Sequence, residues 1–275
     1  PLYGVARQYK NLREEILDAT DGIYQSGRVL DGEKTELFEQ AVAQRCGREF
    51  AVAVNSGTQG LHFALELLRT PARSQLLIPA VSYIATLNSA VRQNMYNVEF
   101  CDVDYAGLIN LASHDKPLDQ HSTIMYVNLL GNTVDWERFQ THARFFTAER
   151  VQIIEDAAQS FGATYRDIPS GKLGDISILS FDPTKNLNNY GSGGMLLTDN
   201  DELALHYLDL RDNGKFNDHE FPGTNSKMSE SDCAQMLIKL KYFNKWQQRR
   251  TKIAEYYSNQ LQNFVDIPKP TPGCI

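Results

Sequence analysis

Cysteine is scarce in this sequence. Its four residues, Cys46, Cys101, Cys233 and Cys274, stand apart with no C-x-x-C pair, and that spacing offers no metal site. The first three lie in or beside apolar or helical stretches and read as buried free thiols in a reducing compartment. Long apolar runs are missing as well. Nothing approaches the ~20 residues of a membrane-spanning helix, and the opening "PLYGVARQYK" has no signal-peptide pattern. A cytoplasmic location is the expectation. Positive charge is short, with 27 Lys and Arg against 34 Asp and Glu and a net charge of −7. That balance argues against general binding to nucleic acid or to a membrane surface. The first strand-to-helix turn, "NSGTQG", lacks the G-x-G-x-x-G spacing of a dinucleotide-binding fold.

What is present suits a globular protein. A chain of 275 residues, 42% hydrophobic and 22% charged, can bury one large domain and a smaller one. Helical periodicity runs through "YKNLREEILDATDGIYQSG", stopped by Gly27, and through "EKTELFEQAVAQRCG", closed by Gly47. Short apolar runs then alternate with helical stretches. The runs cover 50–55, 75–81, 97–103, 122–130, 151–156, 176–181 and 194–198, and helices are expected at 58–68, 84–93 and 135–147. Continuous apolar strands separated by helices predict an α/β fold, a three-layer, mostly parallel sheet of about seven strands covered on both faces. After Thr198 the strands stop. "DELALHYLDLRDNG" reads as a helix capped by Asn213-Gly214, the stretch with Phe216, Phe221, Pro222 and Gly223 as a loop, and 229–261 as one long helix. The prolines of "IPKPTPGCI" predict no closing element. The large domain is placed at 1–240, and 241–275 is read as the start of a small C-terminal domain that is incomplete.

Three stretches carry chemistry. In "VNSGTQGLHFAL" a strand runs into Ser56-Gly57-Thr58 and a helix begins at once. The amides of such a helix start, flanked by small side chains, suit a phosphate; a plain N-cap is the other reading. In "VQIIEDAAQSFGATY", Asp156 ends an apolar strand, where ligands of open α/β sheets bind. It either pairs with a cation, such as a protonated ring nitrogen, or caps a helix at "AAQS". In "SFDPTKNLNNYGSGG", Lys185 follows a strand among small, polar and glycine residues. It reads as an amine that reaches into a pocket and attacks a carbonyl, or as a solvated loop lysine. Together, in this order, the three match what pyridoxal 5′-phosphate needs: a seat for its phosphate, an anion for its ring nitrogen, and an amine for its aldehyde.

The chain resembles the sugar aminotransferases of the DegT/DnrJ/EryC1/StrS family, pyridoxal-phosphate enzymes of fold type I. The resemblance rests on "FEQAVAQRCGREFAVAVNSGTQGLHFAL", "IPAVSYIATLNSAV", "IIEDAAQSFGATY", "SFDPTKN" with "GSGGML", and "GTNSKM" before a long helix, and covers essentially the whole chain. It implies that Lys185 forms the Schiff base with the cofactor and later shuttles a proton, and that Asp156 pairs with the pyridinium. It implies further that Tyr83 stacks on the ring, and that Ser56, Gly57, Thr58, Ser180 and Gln159 hold the phosphate and O3′ side. Asn225 would reach the phosphate of a neighbouring subunit, giving a homodimer with shared sites. The implied reaction moves an amino group from glutamate to a nucleotide-linked keto-deoxysugar, in surface-polysaccharide (O-antigen, lipopolysaccharide) or glycoside synthesis. Two departures bear on the substrate. Asn128 stands where many relatives carry His, and Lys227 where Arg is usual; both are expected near the substrate end. Two other readings stay open: a related sugar dehydratase, which would carry histidine at the lysine position, and a non-catalytic regulator or scaffold on the same fold.

Overall fold

The sheet is built from seven strands whose side chains alternate between two apolar layers. The computed structural model describes residues 4–68, 75–93, 97–118, 121–146, 151–219 and 222–275. In chain order the elements are α1 (Val5–Ser26), α2 (Glu33–Cys46), β1 (Phe50–Val54), α3 (Gly57–Leu67), β2 (Gln75–Pro79), α4 (Ile84–Gln93), β3 (Asn97–Cys101), β4 (Thr123–Val127), α5 (Trp136–Phe146), β5 (Gln152–Asp156), β6 (Thr164–Tyr165), β7 (Ile168–Pro169), β8 (Ile176–Ser180), β9 (Gly194–Thr198), α6 (Asp201–Arg211) and α7 (Glu230–Leu261). The sheet order is β1-β9-β8-β5-β4-β2-β3. Only β9 runs against the others, pairing antiparallel with both β1 and β8, while β8, β5, β4, β2 and β3 are parallel. The expected α/β fold with a mostly parallel seven-stranded sheet is what forms.

Burial on both faces explains the continuous apolar runs. Along β2, Leu76 and Ile78 enter the layer under α3, α4 and α6, while Leu77 enters the opposite one. Along β9, Leu196 joins the first layer and Met195 and Leu197 pack toward α2 and α7. Tyr126 of β4 packs on Phe139 of α5, ring centroids 4.9 Å apart. Helix α1 lies outside α7, burying Leu12 and Ile16 against Ile238. Cys46, Cys101 and Cys233 are buried and all four cysteines are free thiols. No helix among the described residues is long and apolar enough to cross a membrane.

Two expectations change. The run 122–130 is not one strand: β4 stops at Val127, and Leu130 sits left-handed at φ 56° and is 84% exposed. Its amide donates to Gln159 Oε1 at 2.9 Å, and the left-handed Gly131 completes the turn. The tail does close onto something, because Thr164 and Ile275 exchange two backbone hydrogen bonds of 2.9 and 3.0 Å and Arg166 N donates to the Gly273 carbonyl. The end of the chain thereby extends the β6–β7 hairpin, whose two-residue turn uses left-handed Arg166 and Asp167. The expected helix and loop otherwise form, with residue 147 and Phe221 outside the described residues. Helix α7 passes unbroken across position 240.

Candidate active site

The reversed strand β9 decides where the site sits. Its first residue, Gly194, pairs with Val54 on one side and Ser180 on the other, so the ends of β1 and β8 lie beside it. The turn from β1 into α3 crosses directly over Gly194. A Cβ there would lie 2.5 Å from the Gly57 nitrogen and from the Ser56 carbonyl carbon, a backbone clash that only glycine avoids. Gly57 is also close-packed, since its own Cβ would come within 2.9 Å of Ser180 Cβ.

Ser56 is the N-cap of α3, its Oγ accepting from Gln59 N at 3.1 Å. The plain N-cap reading is therefore correct for the hydroxyl. It does not use up the site. The Gly57 and Thr58 amides belong to the first turn, which an α-helix leaves without intrahelical acceptors, and that turn carries no acidic residue. Both residues line a cleft of about 410 Å³ at the C-terminal edge of the sheet, with Ser56, Tyr83, Asp156, Gln159, Ser180 and Lys185.

Asp156 ends β5 on the α3/α4 side of the sheet and is 5% exposed. Its Oδ1 accepts from Ala158 N and its Oδ2 from Thr86 Oγ1, both at 3.1 Å. No helix follows, because residues 158–162 form a turn, so the helix-cap reading is corrected to a local amide contact. Burial pushes the Asp156 carboxyl up, against the Ala158 amide, the Thr86 hydroxyl and the charge of Lys185. A carboxylate so placed favours a cationic partner. Ser82 Oγ, 2.7 Å from Thr86 Oγ1, extends the chain of hydroxyls back into the cleft, which Ser82 also lines.

The loop between β8 and β9 carries Lys185, and its many asparagines have a structural reason. Asp182 starts it with an Asx turn, Oδ1 accepting from Thr184 N at 2.9 Å, and Lys185 N donates to the Asp182 carbonyl. Beyond Lys185, three asparagines are each gripped from α7. Arg250 donates to the Asn186 carbonyl at 2.8 Å, Lys239 to the Asn188 carbonyl at 2.6 Å, and Asn189 Nδ2 donates to Asp232 Oδ1 at 2.8 Å. Leu187 between them is fully buried. The loop is thus pinned to a helix, with Lys185 at one end and Ser192 at the other, both facing the cleft.

Tyr83 is 66% exposed at the cleft mouth, which rules out a core aromatic. Gln159 accepts the Leu130 amide at Oε1, leaving its NH2 group as the donor for a ligand. Asn225 is exposed and does not line the cleft of its own chain. Its segment is clamped beside the site, however: Thr224 N bonds the Leu210 carbonyl, Ser226 N the Arg211 carbonyl, and Asn55 N the Ser226 carbonyl.

Of the two expected substrate-end departures, Asn128 turns away from the cleft and Lys227 is held by an acid. Asn128 is fully buried, its Nδ2 donating to Glu155 Oε1 at 2.8 Å and to Ser170 Oγ at 3.0 Å. Val127 faces the cleft, and alternation turns the next side chain to the other face. Lys227 pairs with Asp212 and is not among the cleft-lining residues. Ser82, Thr86 and the anchors on α7 escaped the sequence reading, because a threonine or lysine inside a helical pattern carries no signal of its partner. Among the described residues no group of three or more metal-ligating side chains comes together.

With this geometry in view, the relatives are informative. A dTDP-3-amino-3,4,6-trideoxy-alpha-D-glucose transaminase of Streptomyces venezuelae is 32% identical over 98% of this chain and 71% of its own length. A pleiotropic regulatory protein of Geobacillus stearothermophilus is 30% identical over 99% of this chain and 73% of its own. The crystal structure of S. venezuelae DesV in complex with a ketimine intermediate matches with a TM-score of 0.90 at 30% identity, over 98% of this chain and 73% of that one. The DegT/DnrJ/EryC1/StrS aminotransferase family matches residues 10–272. The chain belongs to that family.

Proposed function

We infer that the protein is a pyridoxal-phosphate-dependent aminotransferase that aminates a keto group on a nucleotide-linked deoxysugar, with glutamate as donor. The observation that carries this is one cleft faced at once by an open helix start, a buried carboxylate and a loop amine. The residues fit the cofactor. Gly57 and Gly194 keep the α3 turn free of side chains that would fill it, and Asp156 is a buried carboxylate with capacity for a cation. When bound, the cofactor supplies an electrophilic carbon and an electron sink.

The Gly57 and Thr58 amides and the Ser180 hydroxyl hold the phosphate at the end of α3 where the helix dipole favours an anion. Asp156, kept in place by Thr86 and Ala158, would pair with the ring nitrogen and preserve its charge. Tyr83 would pack on the cofactor ring, and the Gln159 NH2 group would donate to it. Lys185 is the amine that would hold the cofactor's carbonyl carbon and, once released from it, would serve as the proton carrier held beside the substrate. We propose that Asn225 serves the cleft of a second copy, so that the working unit is a homodimer. The cytoplasm is its proposed location and glycoside or surface-polysaccharide synthesis its setting. In this reading residues 1–240 are the cofactor domain and 241–275 begin a smaller one, α7 passing from one to the other.

The name of the G. stearothermophilus relative favours a second reading, a regulator on the same fold. One experiment separates the two. The purified protein with pyridoxal phosphate is expected to absorb in the visible, to lose that band on adding glutamate, and to aminate a nucleotide-linked keto-sugar detectable by mass. Lys185→Ala is expected to abolish all three. A wild-type band that glutamate leaves unchanged would sink the enzyme and favour the regulator.

A further inference from the structure

One charged side chain near the site has no part in the chemistry above. Lys239, in the middle of α7, is 0% exposed, and no other lysine is buried among the described residues. Burying an ammonium is costly unless it is well partnered, and its partners both belong to the loop that carries Lys185. Its Nζ donates to the Asn188 carbonyl at 2.6 Å and lies 3.4 Å from the centre of the Tyr190 ring, within cation–π range. The rings of Tyr190 and Tyr9 of α1 pack edge to face, centroids 5.7 Å apart.

We propose that Lys239 is the positioning residue of the lysine-bearing loop: from inside α7 it ties the Asn188 carbonyl and the Tyr190 ring, and so fixes how Lys185 reaches the cleft. The other two anchors do not duplicate it. Arg250 grips the loop at Asn186, next to Lys185, and Asp232 grips Asn189 and, through it, the Ser192 carbonyl. Lys239 adds ties at the Asn188 carbonyl and the Tyr190 ring, which neither of those two side chains bonds. The part of the claim that concerns carbonyl capture rests on the aminotransferase reading; the tie itself does not.

The tie has a pH signature. Burial pushes Lys239 down from the ordinary lysine value to about 7, against the pull of Asp232. The groups facing it are Asp232 on its own helix, Tyr190 in the loop and, behind that ring, Tyr9 of α1. Burial holds Tyr190 up to about 12, so that phenol stays neutral where Lys239 titrates. Losing the proton turns a charge-assisted hydrogen bond into a neutral one and removes the cation from the ring.

The test is hydrogen–deuterium exchange of the full chain, without cofactor, in wild type and Lys239→Met, well below and well above pH 7 and corrected for intrinsic exchange. Amides of 186–193 in the wild type are expected to lose about tenfold in protection as pH rises, while 166–172 serve as an unaffected control. Lys239→Met should be about tenfold less protected below pH 7 and show no step. Its Lys185 should capture pyridoxal phosphate about tenfold more slowly, read by borohydride trapping and mass. Equal protection of wild type and variant at both pH values overturns the proposal. Should the variant not fold, a wild-type loop without a pH step overturns it alone. A step in a wild type whose Lys185 captures no cofactor keeps the tie and removes the enzyme reading.

Discussion

Two helix starts in this protein face the same electrostatic problem and solve it oppositely. At α2, Glu230 arrives from α7. Its Oε1 accepts from Gly32 N at 3.0 Å, Thr35 N at 2.7 Å and Thr35 Oγ1 at 2.5 Å, and its Oε2 accepts from Lys34 N at 2.9 Å. The chain's own carboxylate closes that end, and Glu33 and Glu36 add negative charge in the first turn. At α3 the first turn has no acid, Ser56 caps only Gln59, and Gly57 and Thr58 line the cleft. The α2 start is already occupied by an internal anion, and in the proposed function the α3 start is the one left for a ligand's.

The comparison can be broken from either side. The largest effect is expected from Gly194→Ala, whose methyl would push into the Ser56–Gly57 backbone. Stability should fall by about 3 kcal/mol in urea unfolding, and cofactor affinity by about 100-fold or more in an absorbance titration. A variant that binds normally would mean the open start tolerates displacement.

Next is Glu230→Ala, which strips the closed start and should cost about 2 kcal/mol with cofactor affinity unchanged. Here pH sharpens the point. Burial would raise the Glu230 carboxyl, but the Thr35 hydroxyl and the Lys34, Thr35 and Gly32 amides hold it below its ordinary value. A carboxyl lowered by folding contributes stability that is full above its unfolded value and lost as pH falls through its folded one. Glu230→Gln should therefore flatten part of the acid limb of the stability–pH curve, and an unchanged limb would place the acid sensitivity elsewhere.

The smallest effect in stability is Thr58→Asp, which makes α3 resemble α2. The cofactor-free protein should gain about 0.5 kcal/mol in thermal melts while losing the cofactor. A variant that still holds the cofactor normally would show that its phosphate lies elsewhere.

The sequence discloses these two starts unequally. The open one is written in neighbouring residues: a strand, Ser56-Gly57-Thr58, a helix. Asp156, at the end of one apolar strand, and Lys185, in the loop after another, stand out in the sequence for the same reason, and both line the cleft. The closed one depends on Glu230 meeting Gly32 across most of the chain, and in sequence Glu230 is only an acid in the first turn of its own helix. Lys239 is hidden likewise, since a lysine in a long mixed helix reads as solvated until α1 and the loop cover it. Leu129 and Leu130 mislead because an apolar pair after β4 imitates more strand, whereas the Gln159 side chain and Gly131 bend it away. Asn128 misleads by a single step of strand parity.

The reversed strand β9 also sets the order in which the site can be assembled as the chain folds. The amine sits in a hairpin, with Ser180 already opposite Gly194, so its closure needs only a short loop. The start of α3 needs Val54 on the far side of the same glycine, a pairing that spans half the sequence and carries the larger loop-closure entropy. The strands that flank Lys185 can thus pair early, while the loop between them gains its anchors only once α7 docks.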